Sequence, residues 1–412
     1  MSHPVSPGQP EAARLDAHAA SLVALARNAV HPDGGFGWLD PDNHVVAERP
    51  VETWIHSRMT HVAALGVLGG DESLRPLLDV GYDGLVRRLR DADHGGWLLA
   101  VGGVGIYEAT DTTKVAYAHA FVILAAASLT KAGHPGGRHL LDEALSVFDR
   151  YFFDPDAGLA REQYDRAWTT CEGYRGVNAN MHTVEAYLAA GEVLGDAALT
   201  DRAVGIIERV IHGFARDADW RLPEHFDASW NVELDYNIDE PAHPFRPYGV
   251  TIGHLLEWSR LTLNARNALL ARGEEPPAWM LDDAASLYEA SKTRGWSVDG
   301  AAGFVYTTNF SDAPVVRERL HWVCCEAIAA AWALYEASGD EKYRADYDEY
   351  WAYALEHLVD HERGGWIHEL SPTNEPSELV WWGKPDLYHA YQATLVPLLP
   401  GMVSFAGAAS GR

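Results

Sequence analysis

Histidine titrates near neutral pH, so a histidine held in a pocket suits general acid–base work. This 412-residue chain carries His61, His119, His182, His254, His321 and His389, spaced by 58, 63, 72, 67 and 68 residues. Taken singly, each is as easily a hydrogen-bonded structural residue. In regular succession, the six predict a shared polar pocket, the default place for an active site. Other polar residues keep them company: Arg58, Tyr117, Asn178, Glu185, Glu257 and Glu326. His254 and Glu257 are three residues apart, on one face of a helix, so Glu257 can orient the imidazole or stabilise its charge. A helix-surface ion pair is the blander reading, and Leu255, Leu256 and Trp258 speak against it by making the segment a buried one.

Other chemistries find less support. No HExxH is present and the histidines fall one per helix, which leaves a zinc site weakly supported. The three cysteines, Cys171, Cys324 and Cys325, have no metal-type spacing and make a poor disulfide framework, so a reducing compartment is expected. There is no G-x-S-x-G elbow and no Rossmann or Walker loop. Gly102-Gly103-Val104-Gly105 lacks their spacing and strand-to-helix context.

The elements that must position these residues form a repeat. Gly-rich or aromatic turns recur at Trp38, Trp97, Leu159, Trp220, Phe304 and Trp366, with gaps of 59, 62, 61, 84 and 62 residues. Four gaps near 60 mark a supersecondary repeat, and the long one holds an insertion at Asp227–Phe245 and around Ala271–Pro277. Before the turns, helical periodicity covers Ala17–Ala29, Leu74–Arg90, Leu140–Phe152, Leu199–Arg216, Asp282–Arg294 and Tyr343–Val359. After them it covers Glu52–Leu68, Lys114–Ala127, Asn180–Leu194, Thr251–Leu270, His321–Ser338 and Leu387–Leu399. The first set is amphipathic and charged and should lie outside. The second is rich in small apolar residues, so it should pack closely inside, with its polar residues facing a central cavity. Six pairs predict a closed ring of twelve helices, one all-α domain over residues 1–412, with loose ends near 1–10 and 406–412.

Composition bounds the partners. With 32 Lys and Arg against 59 Asp and Glu, the net charge of −27 disfavours nucleic acid and acidic lipid surfaces. A hydrophobic share of 47% with 22% charged residues is that of a globular protein, not a disordered one. Fifteen Trp and 18 Tyr are chiefly core, though an aromatic ring also stacks on sugars. No basic-then-apolar leader and no membrane-length apolar run is present, so a cytoplasmic location is expected.

Six stretches together resemble a known family: WIHSRMTHVAALGVLGG (Trp54–Gly70), YAHAFVILAAAS (Tyr117–Ser128), YRGVNANMHTVEAYLAAGEVLGD (Tyr174–Asp196), FRPYGVTIGHLLEWSRL (Phe245–Leu261), LHWVCCEAIAAA (Leu320–Ala331) and KPDLYHAYQA (Lys384–Ala393). They resemble the N-acylglucosamine 2-epimerase superfamily of sugar epimerases and aldose–ketose isomerases, and within it the D-mannose and sulfoquinovose isomerase branch. N-A-N-M-H and G-H-x-x-E-W are the specific segments, and the resemblance covers nearly the whole chain. It implies an (α/α)6 barrel of six helical hairpins. It also implies interconversion of D-mannose and D-fructose, with D-lyxose and D-xylulose as a further pair, through a cis-enediol(ate). The family's two catalytic histidines match His254 and His389. The resemblance makes His389 the base in the aldose-to-ketose direction and His254 the acid that serves ring opening, with Glu257 supporting His254. Arg58, Tyr117, Asn178, His182, Arg246 and Trp322 match positions that bind sugar hydroxyls, and Arg58 could polarise the carbonyl oxygen. The mechanism requires neither metal nor cofactor, and the partner is a small monosaccharide, for a monomer or homo-oligomer. One departure is Thr251-Ile252-Gly253-His254, where the family usually has T-P-G-H; losing the proline should leave that turn freer.

Rival readings remain at this level. A sulfoquinovose isomerase would set Arg58 or Arg246 on the sulfonate. A 2-epimerase of the N-acylglucosamine or cellobiose type would return the proton to C2. A glycoside hydrolase on the same fold needs two carboxylates about 5–10 Å apart, with Glu257, Glu326 and Asp111 available. A helical-repeat scaffold would bind a protein without turning over any sugar.

Overall fold

The computed structural model describes residues 8–410. Six helix pairs run along it: α1 (Gln9–Ala24) with α2 (Thr53–Leu68), α3 (Arg75–Asp83) with α4 (Ala116–Lys131), α5 (Gly137–Tyr151) with α6 (Val177–Leu194), α7 (Ala197–Ile207) with α8 (Ile252–Ala271), α9 (Trp279–Gly295) with α10 (His321–Ser338), and α11 (Glu341–Tyr353) with α12 (Tyr388–Leu395). A short α13 (Phe405–Ala409) closes the order. The fold class is all-α, and strands among the described residues are two or three residues long.

The two helix sets differ as their composition predicts. α2 is buried from Thr53 to Val67 and α8 from Ile252 to Ala265. A helix apolar all round must be enclosed. By contrast α5 buries Gly137, Leu140, Leu141, Ala144 and Phe148, a stripe at three- and four-residue spacing. Where the sequence predicts Leu74–Arg90, Leu199–Arg216 and Tyr343–Val359 as single helices, each finishes in a π-helical turn, at Gly84–Leu89, Glu208–Ala215 and Ala354–Leu358.

The expectation of one domain meets two compact units. The N-terminal unit holds Ala20–Ile206, Lys384–Tyr388 and the chain from Val403; within it α4 packs against α2, α5 and α6. The C-terminal unit holds the chain up to Ala19, Ile207–Gly383 and His389–Met402; within it α8 packs against α9 and α10, and α10 against α11.

Each predicted turn folds back on the helix before it. Val30 bridges Phe36, Arg90 bridges Trp97, Trp296 bridges Phe304 and Val359 bridges Trp366. Gly95 and Gly96, at φ 73° and 66°, make the reversal at Trp97 without a Cβ clash. In the fourth turn Asp219 and Trp220 take φ 53° and 62° with no glycine. Two-residue antiparallel ladders then lead into the even-numbered helices: Val51–Glu52 on Ala100–Val101, Lys114–Val115 on Gln163–Tyr164, Val250–Thr251 on Thr307–Thr308, and Arg319–Leu320 on Glu369–Leu370. They fix the first turns of α2, α4, α8 and α10, and with them Tyr117, His119, His254 and His321.

The loose ends need correction. Residues 1–7 and 411–412 lie outside the described residues, but Gln9 already opens α1. The tail is helical: Ser404 Oγ caps α13 by accepting from Gly407 N–H at 3.1 Å, and Ala406 is fully buried.

Candidate active site

In the C-terminal unit two carboxylate–imidazole pairs have both side chains buried. His254 is the third residue of α8, and its Nδ1 lies 2.9 Å from Glu224 Oε1, on the loop before that helix. His389 is the second residue of α12, and its Nδ1 lies 2.9 Å from Glu326 Oε1 on α10. All four side chains are buried. An ionised carboxylate only accepts, so against one each Nδ1 carries the hydrogen, and a neutral ring held this way has its lone pair on Nε2. Trp322, second in α10, lies beside both rings, its centroid 5.4 Å from His254 and 5.7 Å from His389. Gly253 makes room for that indole: a Cβ there would meet the Trp322 ring at 2.3 Å.

Glu326 has a second partner. Its Oε2 accepts from Arg260 Nε at 2.8 Å, and Arg260 Nη2 is 3.5 Å from Glu257 Oε1. Burial alone would raise the Glu326 pKa; Arg260 and the His389 hydrogen bond outweigh it and hold the group below the ordinary carboxylate value. Glu257, expected to support His254, sits with the other pair instead. Single ligand atoms of Glu257, Glu326 and His389 all lie within 4.8 Å of one another, a set that could hold a cation, but the Arg260 guanidinium already balances the two carboxylates. Helical spacing alone could not see Glu224, which reaches His254 from a loop 30 residues away in sequence.

The loss of the family proline does not free its turn. Ile252 N–H donates to Tyr306 O at 3.1 Å, a bond proline lacks the hydrogen to make, and the Ile252 side chain is fully buried. Arg246, on the insertion, donates from Nη1 to Tyr236 Oη at 3.2 Å, while its carbonyl accepts from Asn237 Nδ2 at 2.7 Å.

Arg58 organises a cluster of its own in the N-terminal unit. Its Nη1 is 3.1 Å from Asp386 Oδ2 and its Nη2 donates to Tyr117 Oη at 2.8 Å. The guanidinium lies 4.5 Å from the Phe121 ring centroid, 4.8 Å from Tyr388 and 5.1 Å from Trp54. Burial works against its charge, but Tyr117 and Asp386 push the pKa above its ordinary value. His182 Nδ1 lies 3.4 Å from Glu185 Oε2, and Glu185 also accepts from the Tyr388 hydroxyl. Asn178, second in α6, is half-buried, with its Oδ1 shielded from solvent and without a hydrogen-bond partner. Asp386 and Tyr388 gave no periodic signal, because they sit where the chain enters α12.

The six regularly spaced histidines stand at different positions in their helices. They are the ninth residue of α2, the fourth of α4, the sixth of α6, the third of α8, the first of α10 and the second of α12. A helix turns 100° per residue, so equal spacing along the chain gave unequal directions in space. His61 Nδ1 is 2.7 Å from Ser128 Oγ, and burial pushes its pKa down to about 4. His119 faces backbone. His321 stacks on His368, ring centroids 3.6 Å apart, and its ring is 6.4 Å from His389.

The model of the N-acylglucosamine 2-epimerase family matches residues 34–393. A D-mannose isomerase of Thermobifida fusca is 50% identical over 395 residues, 96% of this chain and 96% of that protein. A D-mannose isomerase of Pseudomonas cannabina pv. alisalensis is 44% identical over 390 residues, 95% of this chain and 93% of that protein. A crystal structure of D-mannose isomerase superposes with a TM-score of 0.87 at 26% identity, over 96% of this chain and 99% of that one.

Proposed function

This chain belongs to the N-acylglucosamine 2-epimerase family, and from that premise we propose that it is an aldose–ketose isomerase interconverting D-mannose and D-fructose. Its fold class is the (α/α)6 barrel of that family. The observation that carries the chemistry is the pair of carboxylate-held imidazoles beside Trp322. Each is held through Nδ1 by its carboxylate, and moving a proton between adjacent carbons needs one group to accept it and one to supply it.

In this reading His389 takes the C2 proton of the open-chain aldose. The electron pair moves through a cis-enediolate, and His254 serves as the acid, including for ring opening. Returning the proton to C1 gives the ketose. Trp322 offers an apolar face to the sugar ring, and Arg246 a cation to its hydroxyls. The resemblance assigns sugar hydroxyls to Arg58, Tyr117, Asn178 and His182 as well. The unpartnered Asn178 Oδ1 fits that role, and so does the permanent charge of Arg58, beside which a carbonyl oxygen would gain enolate charge. The step uses side chains only. With Arg260 balancing Glu257 and Glu326, it asks for no cation there.

Incubation of EDTA-treated protein with D-mannose in D2O, followed by NMR of the sugars, tests this. Fructose bearing deuterium at C1 is expected. Glucose as the main product would make the protein a 2-epimerase, and no solvent deuterium in any sugar would overturn the two-histidine proton transfer.

A further inference from the structure

We propose that Arg260 is a positioning residue that fixes the tautomer of His389, by holding Glu326 as an anion between itself and the imidazole. The inference rests on the isomerase reading above, because it concerns the group that takes the proton there.

His254, Glu257 and Arg260 follow one another at i, i+3 and i+6 along one face of α8. Arg260 and Glu257 are each 1% exposed, and Glu326 is 2% exposed. Two carboxylates this near each other in a buried place cannot both stay ionised without a cation between them. A guanidinium cannot give up its proton, so it is a permanent one. Arg260 binds Glu326 through Oε2 at 2.8 Å, which leaves Oε1 to His389 Nδ1 at 2.9 Å. Within the same unit the other groups near the pair are His321 on the same helix as Glu326, with His368 stacked on it, and the His254–Glu224 pair, whose imidazole also lies beside Trp322. None of these holds a permanent positive charge.

Removing the guanidinium has a defined consequence. One of the two carboxylates must take a proton. Glu326, once protonated, donates to His389 Nδ1, and the ring hydrogen then resides on Nε2. An imidazole with its hydrogen on Nε2 cannot accept a proton there. Glu257 thereby gains a role on the His389 arm, as the second anion that Arg260 balances.

The test is Arg260→Met, with the double variant Arg260→Met/Glu257→Gln as the charge-balanced companion. The single variant should lose about 100-fold or more in kcat with KM changed less than about threefold, since a wrong tautomer disables a base without unseating the substrate. The acid limb of its kcat profile should move to higher pH. The double variant, with one buried anion left beside His389, should recover at least tenfold over the single one. 15N NMR of the His389 ring, assigned with a His389→Gln variant, reads the tautomer without any turnover. Hydrogen on Nδ1 in wild type and the double variant, and on Nε2 in Arg260→Met, is expected. Hydrogen on Nδ1 in all three, or a folded double variant no faster than the single one, would overturn the proposal. A wild type that leaves mannose unchanged would count against the isomerase reading alone, since the ring NMR still decides the tautomer.

Discussion

His119 and His389 look interchangeable in the sequence. Each lies in the first turn of an even-numbered helix, and they are 1% and 5% exposed. Their partners separate them. His119 Nε2 accepts from Trp97 N–H at 3.1 Å, and its Nδ1 donates to Val115 O at 2.8 Å. Backbone groups occupy both nitrogens, and burial pushes the pKa down to about 3. His56 is held likewise, by Phe36 N–H and Gly81 O at 2.9 Å each, with its pKa down to about 4. In His254 and His389 a carboxylate takes Nδ1. Burial therefore does not set these two apart from His119 and His56; the kind of partner does.

The strongest way to break this comparison is to remove each kind. His389→Asn and His254→Asn should each lose about 10²–10⁴-fold in kcat, the usual contribution of a positioned acid or base, with little change in unfolding midpoint. His119→Ala should do the reverse. It leaves the buried Trp97 N–H without its acceptor, which costs about 1–3 kcal/mol, while turnover per folded molecule stays near wild type. Urea titrations and steady-state kinetics on the same preparations check both halves. A folded His119→Ala protein without activity would erase the distinction.

The helices were legible because their signal is periodic. The extent of α10, His321–Ser338, is the one the sequence predicts, with Gly339 taking the left-handed cap at φ 70°. The six-pair repeat was legible for the same reason. Partnerships across the sequence were not. His254 and His389 could be singled out by resemblance, yet Glu224 lies on a loop and Asp386 just before a helix, so neither belongs to any apolar pattern. Glu257 was placed beside His254 because i and i+3 share a face, but Arg260, one turn further on, draws it towards Glu326. The histidines enter their helices at different positions because spacings of 58–72 residues cross loops of different length.

A smaller effect sharpens the carboxylate side. Trp322 lies beside the His254 and His389 imidazoles, in room that Gly253 leaves by having no side chain; a Cβ would stand 2.3 Å from its ring and 2.8 Å from Val323 Cγ2. Gly253→Ala must push the indole aside while both dyads keep their carboxylates. Tens of fold in kcat/KM should be lost, the order expected when a reacting partner is displaced by about 1 Å. The His254 and His389 ring nitrogens should keep their wild-type NMR signatures. Wild-type kinetics in this variant would mean that Trp322 does not position the sugar.

The smallest effect tests the backbone-held histidines through pH. Asn180 occupies the fourth position of α6, as His119 does in α4. Its Oδ1 accepts from Ala160 N–H at 2.7 Å, and its Nδ2 donates to Gly176 O, four residues back, at 2.9 Å. An amide thus does there what an imidazole does in α4, so His119→Asn should fold, keep its activity and lose only about 1 kcal/mol at pH 7.5. The native His119 pKa, about 3, lies below the ordinary 6.5 of an unfolded chain. Between those values the unfolded chain binds a proton here that the native protein does not, so this residue lowers stability as pH falls through 6.5 and continues to do so down to about 3. The slope approaches about 1.4 kcal/mol per pH unit. Asparagine does not titrate, so from pH 6.5 to 4.5 the variant should lose about 2 kcal/mol less than wild type, and the two stability curves, about 1 kcal/mol apart at pH 7.5, should cross and leave the variant the more stable at pH 4.5. Parallel curves would mean that His119 is not held neutral by its two backbone partners, and the contrast with His389 would then have to rest on something other than the partner.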